Sequence, residues 1–328
     1  MMRAARPLLW PLVPAYRLAL AVREVQLRTG LKPVRRLRWP VVSVGNLSAG
    51  GAGKTPLVIA LAKALAARGV AVDVLSRGYG RRRSAVPLLV DPGGTAEQFG
   101  DEPLVIAREA GIPVYVAAER HEAGLISESA SGAAGQRIHL LDDGFQHRQL
   151  HRDVDILLVS RRDLGDYLLP AGNLREALHA AQRSSVFAIP EDEPEVADWI
   201  EARGWKRPVW RLRRRMDVPR VNGPVAAFCG IARPEQFFPG LESAGLRLAA
   251  CFAFPDHFRY TAGDVVRMAN AAREAGATAL LTTEKDRARL GALAGQLPAG
   301  LGLQTVALRT EVEDEAAAVD WLLSRLRA

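Results

Sequence analysis

Short apolar runs rich in β-branched residues alternate along this chain with stretches of helical period. Residues 40–44, Pro-Val-Val-Ser-Val, read as a buried strand, and a glycine-rich loop follows. An apolar-periodic helix then covers about 56–68. Further strands are predicted at 70–75, 114–116, 138–141 and 154–159, with a helix at 103–110 ahead of the strand at 114–116. This rhythm predicts a parallel sheet with helices on both faces. Residues 190–222 change character. Glu191, Asp192 and Glu193 lead into Arg211, Arg213, Arg214 and Arg215, then Pro219, and the stretch reads as a connector. A second α/β unit follows, with strands at 225–229, 248–252 and 279–282 and helices at 235–244 and 264–275. A last helix is predicted at 312–326, free to pack back on the first unit.

Composition narrows the class. The 328 residues are 48% hydrophobic and 24% charged, which suits a folded chain and argues against disorder. The net charge of +8 favours an anionic partner: nucleic acid, anionic lipid or a phosphorylated substrate. Cys229 and Cys251 are the only cysteines and form no C-x-x-C pair, so a cysteine zinc site is not expected and a reducing compartment fits. The apolar stretch 7–16 is too short to span a bilayer, which takes about 20 residues. Pro11 and Pro14 interrupt it, and no clear cleavage site of a signal peptide follows. Its leucines, Trp10 and flanking Arg3, Arg6, Arg17 and Arg23 suit an interfacial segment on anionic lipid. A helix packed on the protein's own core fits the same pattern.

The strongest local signal runs from Gly45 to Pro56. Ser48, Ala49, Gly50, Gly51, Ala52, Gly53, Lys54 and Thr55 follow a strand and open a helix, the context a phosphate loop requires. Glycines let backbone N–H groups converge on phosphate oxygens, and the helix N-terminus adds favourable dipole charge. Lys54 is placed to reach β- and γ-phosphates and the Thr55 hydroxyl to ligate Mg²⁺. Pro56 is tolerated in the first helical turn. The strict pattern has glycine where Ser48 stands. The strand at 138–141 ends in Asp142 and Asp143, where a carboxylate holds the Mg²⁺ shell in phosphate-loop enzymes, and Gln146 lies just beyond. Asp101 precedes a helix, as an N-cap or as a carboxylate that orients a hydroxyl and accepts its proton. His257 is either a loop histidine or a partner in that proton transfer. Arg77 follows the second strand, at the edge where such sheets bind ligands.

Together these segments resemble the tetraacyldisaccharide 4'-kinase family of lipid A biosynthesis. VGNLSAGGAGKTP, SRGYGR, GDEP, DDGFQH, LLPAGNLRE, PDHFRY and TTEKD occur in the family's order between residues 41 and 286. The family shares the hydroxyl residue at position 48. The resemblance implies MgATP-dependent transfer of the γ-phosphate to the 4'-hydroxyl of a lipid A disaccharide 1-phosphate, giving lipid IVA. It implies two α/β domains joined by a β-stranded linker, on the cytoplasmic face of the inner membrane. It matches Asp101 to a catalytic Asp and His257 to an assisting His, and sets Asp142, Asp143 and Gln146 around Mg²⁺ and the phosphates. Arg175 and Glu176 fall near the active site. The expected organisation is a membrane-associated segment at 1–30, a P-loop kinase domain at 31–210, a linker at 211–223, a smaller α/β domain at 224–305 and a C-terminal helix at 306–328, free to pack back on the kinase domain. Partners are expected to be the lipid substrate and the anionic membrane surface, with no nucleic acid and no obligate protein. Two other readings are a membrane-associated P-loop ATPase acting as a switch, which needs no acceptor base, and a nucleic-acid-binding ATPase. Only 6% of residues are aromatic and no basic-aromatic interleaving is evident, which weighs against nucleic acid.

Overall fold

A computed structural model describes residues 6–82, 84, 86–130, 137–298 and 300–326. Its strands are β1 (Val41–Asn46), β2 (Ala71–Ser76), β3 (Leu88–Leu89), β4 (Val114–Val116), β5 (Arg137–Asp142), β6 (Val154–Leu158), β7 (Val186–Pro190), β8 (Val209–Asp217), β9 (Val225–Cys229), β10 (Leu248–Ala253), β11 (Ala279–Thr283) and β12 (Gly302–Val312). They form one sheet in the order β10-β9-β11-β12-β8-β7-β6-β1-β5-β2-β4-β3. All neighbours are parallel except β3 with β4 and β12 with β8.

The single antiparallel junction inside the sheet decides where ligands can sit. β7 ends at Pro190, opposite Leu212, while β8 continues to Asp217. β11 runs the other way and ends at Thr283, opposite Val306, next to the pair Ala307–Asp217. The carboxyl ends of the two parallel halves therefore face each other across the β8–β12 ribbon. From Leu212 to Asp217 that ribbon is about 17 Å long at ~3.4 Å per residue. Parallel sheets bind ligands at their carboxyl edges, and here two such edges share one cleft.

Each half buries apolar residues on both faces. Helix Lys54–Ala67 is apolar nearly all round, with Leu57, Val58, Leu61 and Leu65 buried against β1, β2 and β5. It starts behind Gly53 and stops at Gly69, which takes the left-handed conformation that ends helices. Helix Glu315–Leu326 joins the same core through Val319 and Leu322. On the opposite face Leu157, Phe187, Val196 and Ile200 pack with Val13. Around β9 and β11, helix Ala262–Glu274 covers one face and helix Pro234–Ser243 the other.

The N-terminal region is a 3₁₀ turn, Pro7–Leu12, and a helix, Val13–Arg28. Val13, Tyr16 and Leu20 face the core, whereas Leu8 is 92% and Leu18 66% exposed. One side of this helix thus packs on the core, as one of the two expectations had it, while Leu18, Val22 and Val25 are exposed. Among the described residues no helix is long and apolar enough to cross a membrane. Two expectations need correction. Residue 312 ends β12, and the last helix begins only at Glu315. The stretch read as a connector carries helix Pro194–Glu201 and β8. Its charges hid a period-two pattern, because the arginines on one face of β8 are solvated.

Candidate active site

The cleft between the facing edges has a volume of ≈ 1160 Å³. The phosphate loop forms its floor. Gly53 has φ +87°, a conformation that strains any side chain, and it sets the turn from loop into helix. Gly45, at the end of β1, has Phe145 so close that a Cβ would lie 2.7 Å from its backbone nitrogen. This contact presses the segment after β5 against the loop. Ala49, Gly50, Gly51, Gly53, Lys54 and Thr55 line the cleft. Ser48 is buried beneath, its hydroxyl accepting from Asn46 Nδ2 at 3.1 Å.

Asn46, which sequence reasoning missed, is the hub of this edge. Its Oδ1 accepts from Lys54 Nζ at 2.9 Å and from Arg175 Nη2 at 2.7 Å. Arg175 also grips Asp143 with two nitrogens, at 2.7 and 2.9 Å, and Lys54 lies 3.4 Å from the same carboxylate. Burial alone would raise the Asp143 pKa; Lys54 and Arg175 reverse this and hold it well below the usual range. Asp142 goes the other way. Burial, then Glu102 and Asp143, push it up to about 7.

The donor set suits a magnesium ion. Asp142 Oδ1 and Gln146 Oε1 are buried without a hydrogen-bond partner, while Gln146 Nε2 is fixed on the Asn46 carbonyl at 2.9 Å. With the Thr55 hydroxyl these are hard oxygen donors. Among the described residues no three His, Cys, Asp or Glu side chains gather into a cage. Mg²⁺ bound together with phosphates does not need one.

The opposite wall brings residues from both halves together. Asp101 opens helix Asp101–Ala110 and is only 4% exposed. His257 Nδ1 lies 3.3 Å from its Oδ2, and Arg289 Nε donates to the same oxygen at 2.8 Å. Burial works against the Asp101 charge, but His257, Arg289 and Lys285 outweigh it and hold the pKa well below the usual value. The hydrogen bond to Asp101 in turn raises His257. Lys285 pairs with Glu102. His257 lines the large cleft, whereas Asp101 lines a smaller cavity of ≈ 370 Å³ that His257 also borders. Among the described residues, only Asp143 (φ 52°) and His257 (φ 58°) are non-glycine residues with left-handed backbone. Such strain gathers at functional positions, and here one falls on each wall.

Of the other expected residues, Arg77 and Arg175 line the cleft. Arg77 stands with Arg23 and Arg120 around His147, a cationic end suited to an anion. Burial and these arginines push His147 down to about 3, so it is neutral there. Glu176 does not line the cleft; it accepts from Arg183 at 2.7 Å. Arg289 and Arg120 went unnoticed in the sequence. The only hint for Arg289 was its spacing of three from Asp286, which it pairs with at 2.9 Å.

A family model described as tetraacyldisaccharide-1-P 4'-kinase matches residues 5–327. A tetraacyldisaccharide 4'-kinase of Koribacter versatilis is 40% identical over 324 residues, covering 95% of this chain and 97% of that protein. One from Rhodopseudomonas palustris is 40% identical over 319 residues, covering 94% and 88%. The crystal structure of LpxK from Aquifex aeolicus in complex with ATP superposes with a TM-score of 0.75 at 30% identity, covering 98% of this chain and 99% of that one.

Proposed function

The chain belongs to the tetraacyldisaccharide-1-phosphate 4'-kinase family, and from that premise we propose how its residues divide the work of a MgATP-dependent lipid kinase. The acceptor is the 4'-hydroxyl of tetraacyldisaccharide 1-phosphate. Its oxygen attacks the γ-phosphorus, the bond from that phosphorus to the β–γ bridging oxygen breaks, and ADP leaves. The hydroxyl proton passes to the pair formed by His257 and Asp101. Asp101 is a weak base by itself, because two cations hold it ionised. Its role is to orient His257 and to stabilise the imidazolium once the proton arrives.

Lys54 and the backbone of residues 48–55 hold the phosphate chain, and Arg175 with Asn46 keeps Lys54 and Asp143 in register. Thr55, Asp142, Asp143 and Gln146 would hold Mg²⁺, which when bound would supply neutralisation of the phosphate charge. Arg77, with Arg175 at the other end of the loop, receives the anionic acceptor. The halves at 31–210 and 224–305 act as lobes that close over the nucleotide and exclude water, which would otherwise compete as acceptor. The exposed apolar side of helix Val13–Arg28, with Arg17 beside it, seats the protein on anionic lipid at the cytoplasmic face of the inner membrane.

The observation that carries this reading is that one cleft is lined by Lys54, Asp143 and Arg175 from the first half and by His257 from the second, with Asp101 paired behind His257. The test uses purified protein, γ-labelled ATP, Mg²⁺ and detergent-dispersed tetraacyldisaccharide 1-phosphate. Label is expected in the lipid. Label released only as free phosphate, at a rate indifferent to the lipid, would return the chain to a P-loop switch. Co-sedimentation with anionic vesicles tests the membrane seat, and equal pelleting of wild type and a Leu18→Ser/Val22→Ser variant would reject it.

A further inference from the structure

The alternation along β8 contains one exception. Arg211, Arg213 and Arg215 point outward, and each has a carboxylate within ion-pair distance: Glu313 at 3.9 Å, Glu191 at 2.9 Å and Glu311 at 3.7 Å. The inward positions are Leu212, Arg214 and Met216, all lining the cleft. Inward positions of such a strand are ordinarily apolar. Arg214 is a guanidinium in an apolar row, and among the described residues no carboxylate lies within ion-pair distance of it. Its Nε is buried without a partner. Burial pulls its pKa below the usual arginine value, and Glu193, Asp192 and Asp163 offset this only from longer range.

This uncompensated cation rests on the phosphate loop. Arg214 Nη2 donates to the Ala52 carbonyl at 2.7 Å. A Cβ on Gly53 would lie 3.0 Å from the same nitrogen. Arg233, from the loop after β9, packs its Cγ and Cδ 3.3 Å from where a Cβ on Gly51 would stand. Arg233 also has no carboxylate within ion-pair distance among the described residues. Arg214 is half-buried, and a partly desolvated cation without a counter-ion is stabilised when an anion arrives. The loop beneath it is built to hold one.

We infer that Arg214, backed by Arg233, is a positioning residue for the nucleotide's β- and γ-phosphates, carried to the phosphate loop by the strand that joins the two halves of the sheet. In the free protein its Nη2 rests on the Ala52 carbonyl. With nucleotide bound, the guanidinium turns its free donors to phosphate oxygens, as charge-assisted hydrogen bonds. Because β8 pairs with β12, the strand that leads into the second half, nucleotide binding and lobe closure are coupled through this side chain. The inference rests on the kinase reading above and adds a residue to it.

The test is calorimetric binding of MgATP, MgADP and AMP to the full-length protein in detergent, for wild type, Arg214→Gln and Arg214→Lys. Arg214→Gln keeps a donor for the Ala52 carbonyl and loses the charge. It is expected to weaken MgATP and MgADP about 10- to 100-fold and to leave AMP within about twofold, and Arg214→Lys is expected to recover much of the loss. Equal weakening of all three nucleotides, or a lysine variant no better than glutamine, would make Arg214 a structural strut and overturn the inference. So would intact nucleotide binding with a raised KM for the acceptor lipid, which would move the contact to the lipid's phosphate. Wild-type protein that binds MgATP but transfers no phosphate to the lipid would instead overturn the kinase reading alone.

Discussion

The two walls of the cleft are built by different rules. The wall of β1 and β5 is complete within one half of the sheet. Asn46, Lys54, Asp143 and Arg175 already hold one another in a closed set of charge-assisted hydrogen bonds, and Gly45 locks the segment after β5 against the loop. The other wall is assembled. Asp101 comes from the first half, His257 and Arg289 from the second, and their contacts join the two halves. The first set is thus complete without the second half, whereas the Asp101–His257 pair exists only where the halves meet. In the proposed mechanism this division would tie the acceptor base to the two halves being together.

Substitutions on the two walls should therefore fail differently, and the largest loss belongs to the preformed wall. Lys54→Ala removes the cation at the centre of the set and leaves Asp143 with Arg175 alone. Phosphoryl transfer is expected to fall on the order of 10³-fold in kcat, with weaker MgATP binding as well. A kcat within tenfold of wild type would show that the constellation is not the phosphate cradle. Asp101→Asn should cost roughly 10²-fold in kcat and leave MgATP affinity unchanged, because it touches only the assembled wall. A loss of nucleotide affinity equal to the loss in kcat would erase the distinction between the walls.

The same substitution carries a pH signature. The Asp101 carboxylate raises the His257 pKa above its ordinary 6.5, so Asp101→Asn should lower the His257 titration midpoint seen by NMR. Linkage gives the sign for stability. The depressed Asp101 contributes above its unfolded value near 3.8, and this is lost as pH falls through the folded pKa. The raised His257 contributes below 6.5, and this is lost as pH rises through its folded pKa. The ion pair thus stabilises the fold most between those limits. An unmoved His257 midpoint in the variant would mean that the contact is not made in solution.

The contrast between walls also explains what the sequence disclosed. The preformed wall depends on local signals, namely a strand, a glycine loop, Lys-Thr and an Asp-Asp strand end. Its backbone elements were legible to within a few residues. Asn46 was not, because an asparagine ending a strand reads as a turn residue until Lys54 and Arg175 are seen to converge on it. On the assembled wall Asp101 and His257 were candidates from their own segments, each beside a structural alternative, and the family resemblance matched them to catalytic positions. Arg289 was missed because its partner lies 188 positions away. β12 was missed for a related reason, and β8 was expected only as the β-stranded linker that the resemblance implies. β8 is charge-rich, and the pairing of β8 with β12 is a property of the finished sheet. The phosphate loop offers a third, smaller test of this. Gly53→Ala strains a φ of +87° and meets Arg214, and is expected to cost about 1–3 kcal/mol. It should appear as weaker MgATP binding with the lipid KM unchanged. Unchanged MgATP affinity would show that the loop tolerates the strain.

The smallest effect concerns a contact that holds the assembled wall together. Arg309 on β12 bridges Glu109 at 2.6 Å, from the first half, and Glu284 at 3.3 Å, from the second. Asp217, at 3.4 Å, is a third carboxylate on the same guanidinium, and burial, then Glu109, push Glu284 up to about 7. A carboxyl whose folded pKa is raised favours the fold while protonated. Its contribution is present below 4.5 and lost as pH rises through about 7. At pH 8 the ionised pair therefore opposes closure, with Arg309 offsetting part of the repulsion. Glu284→Gln keeps an oxygen for Arg309 and removes the charge, so it should raise the melting temperature at pH 8 by roughly 2–4 °C. At pH 5.5, where Glu284 is already largely neutral, the two proteins should melt together. A gain of equal size at both pH values would trace the effect to packing rather than to charge, and would leave the latch without a part in holding His257 against Asp101.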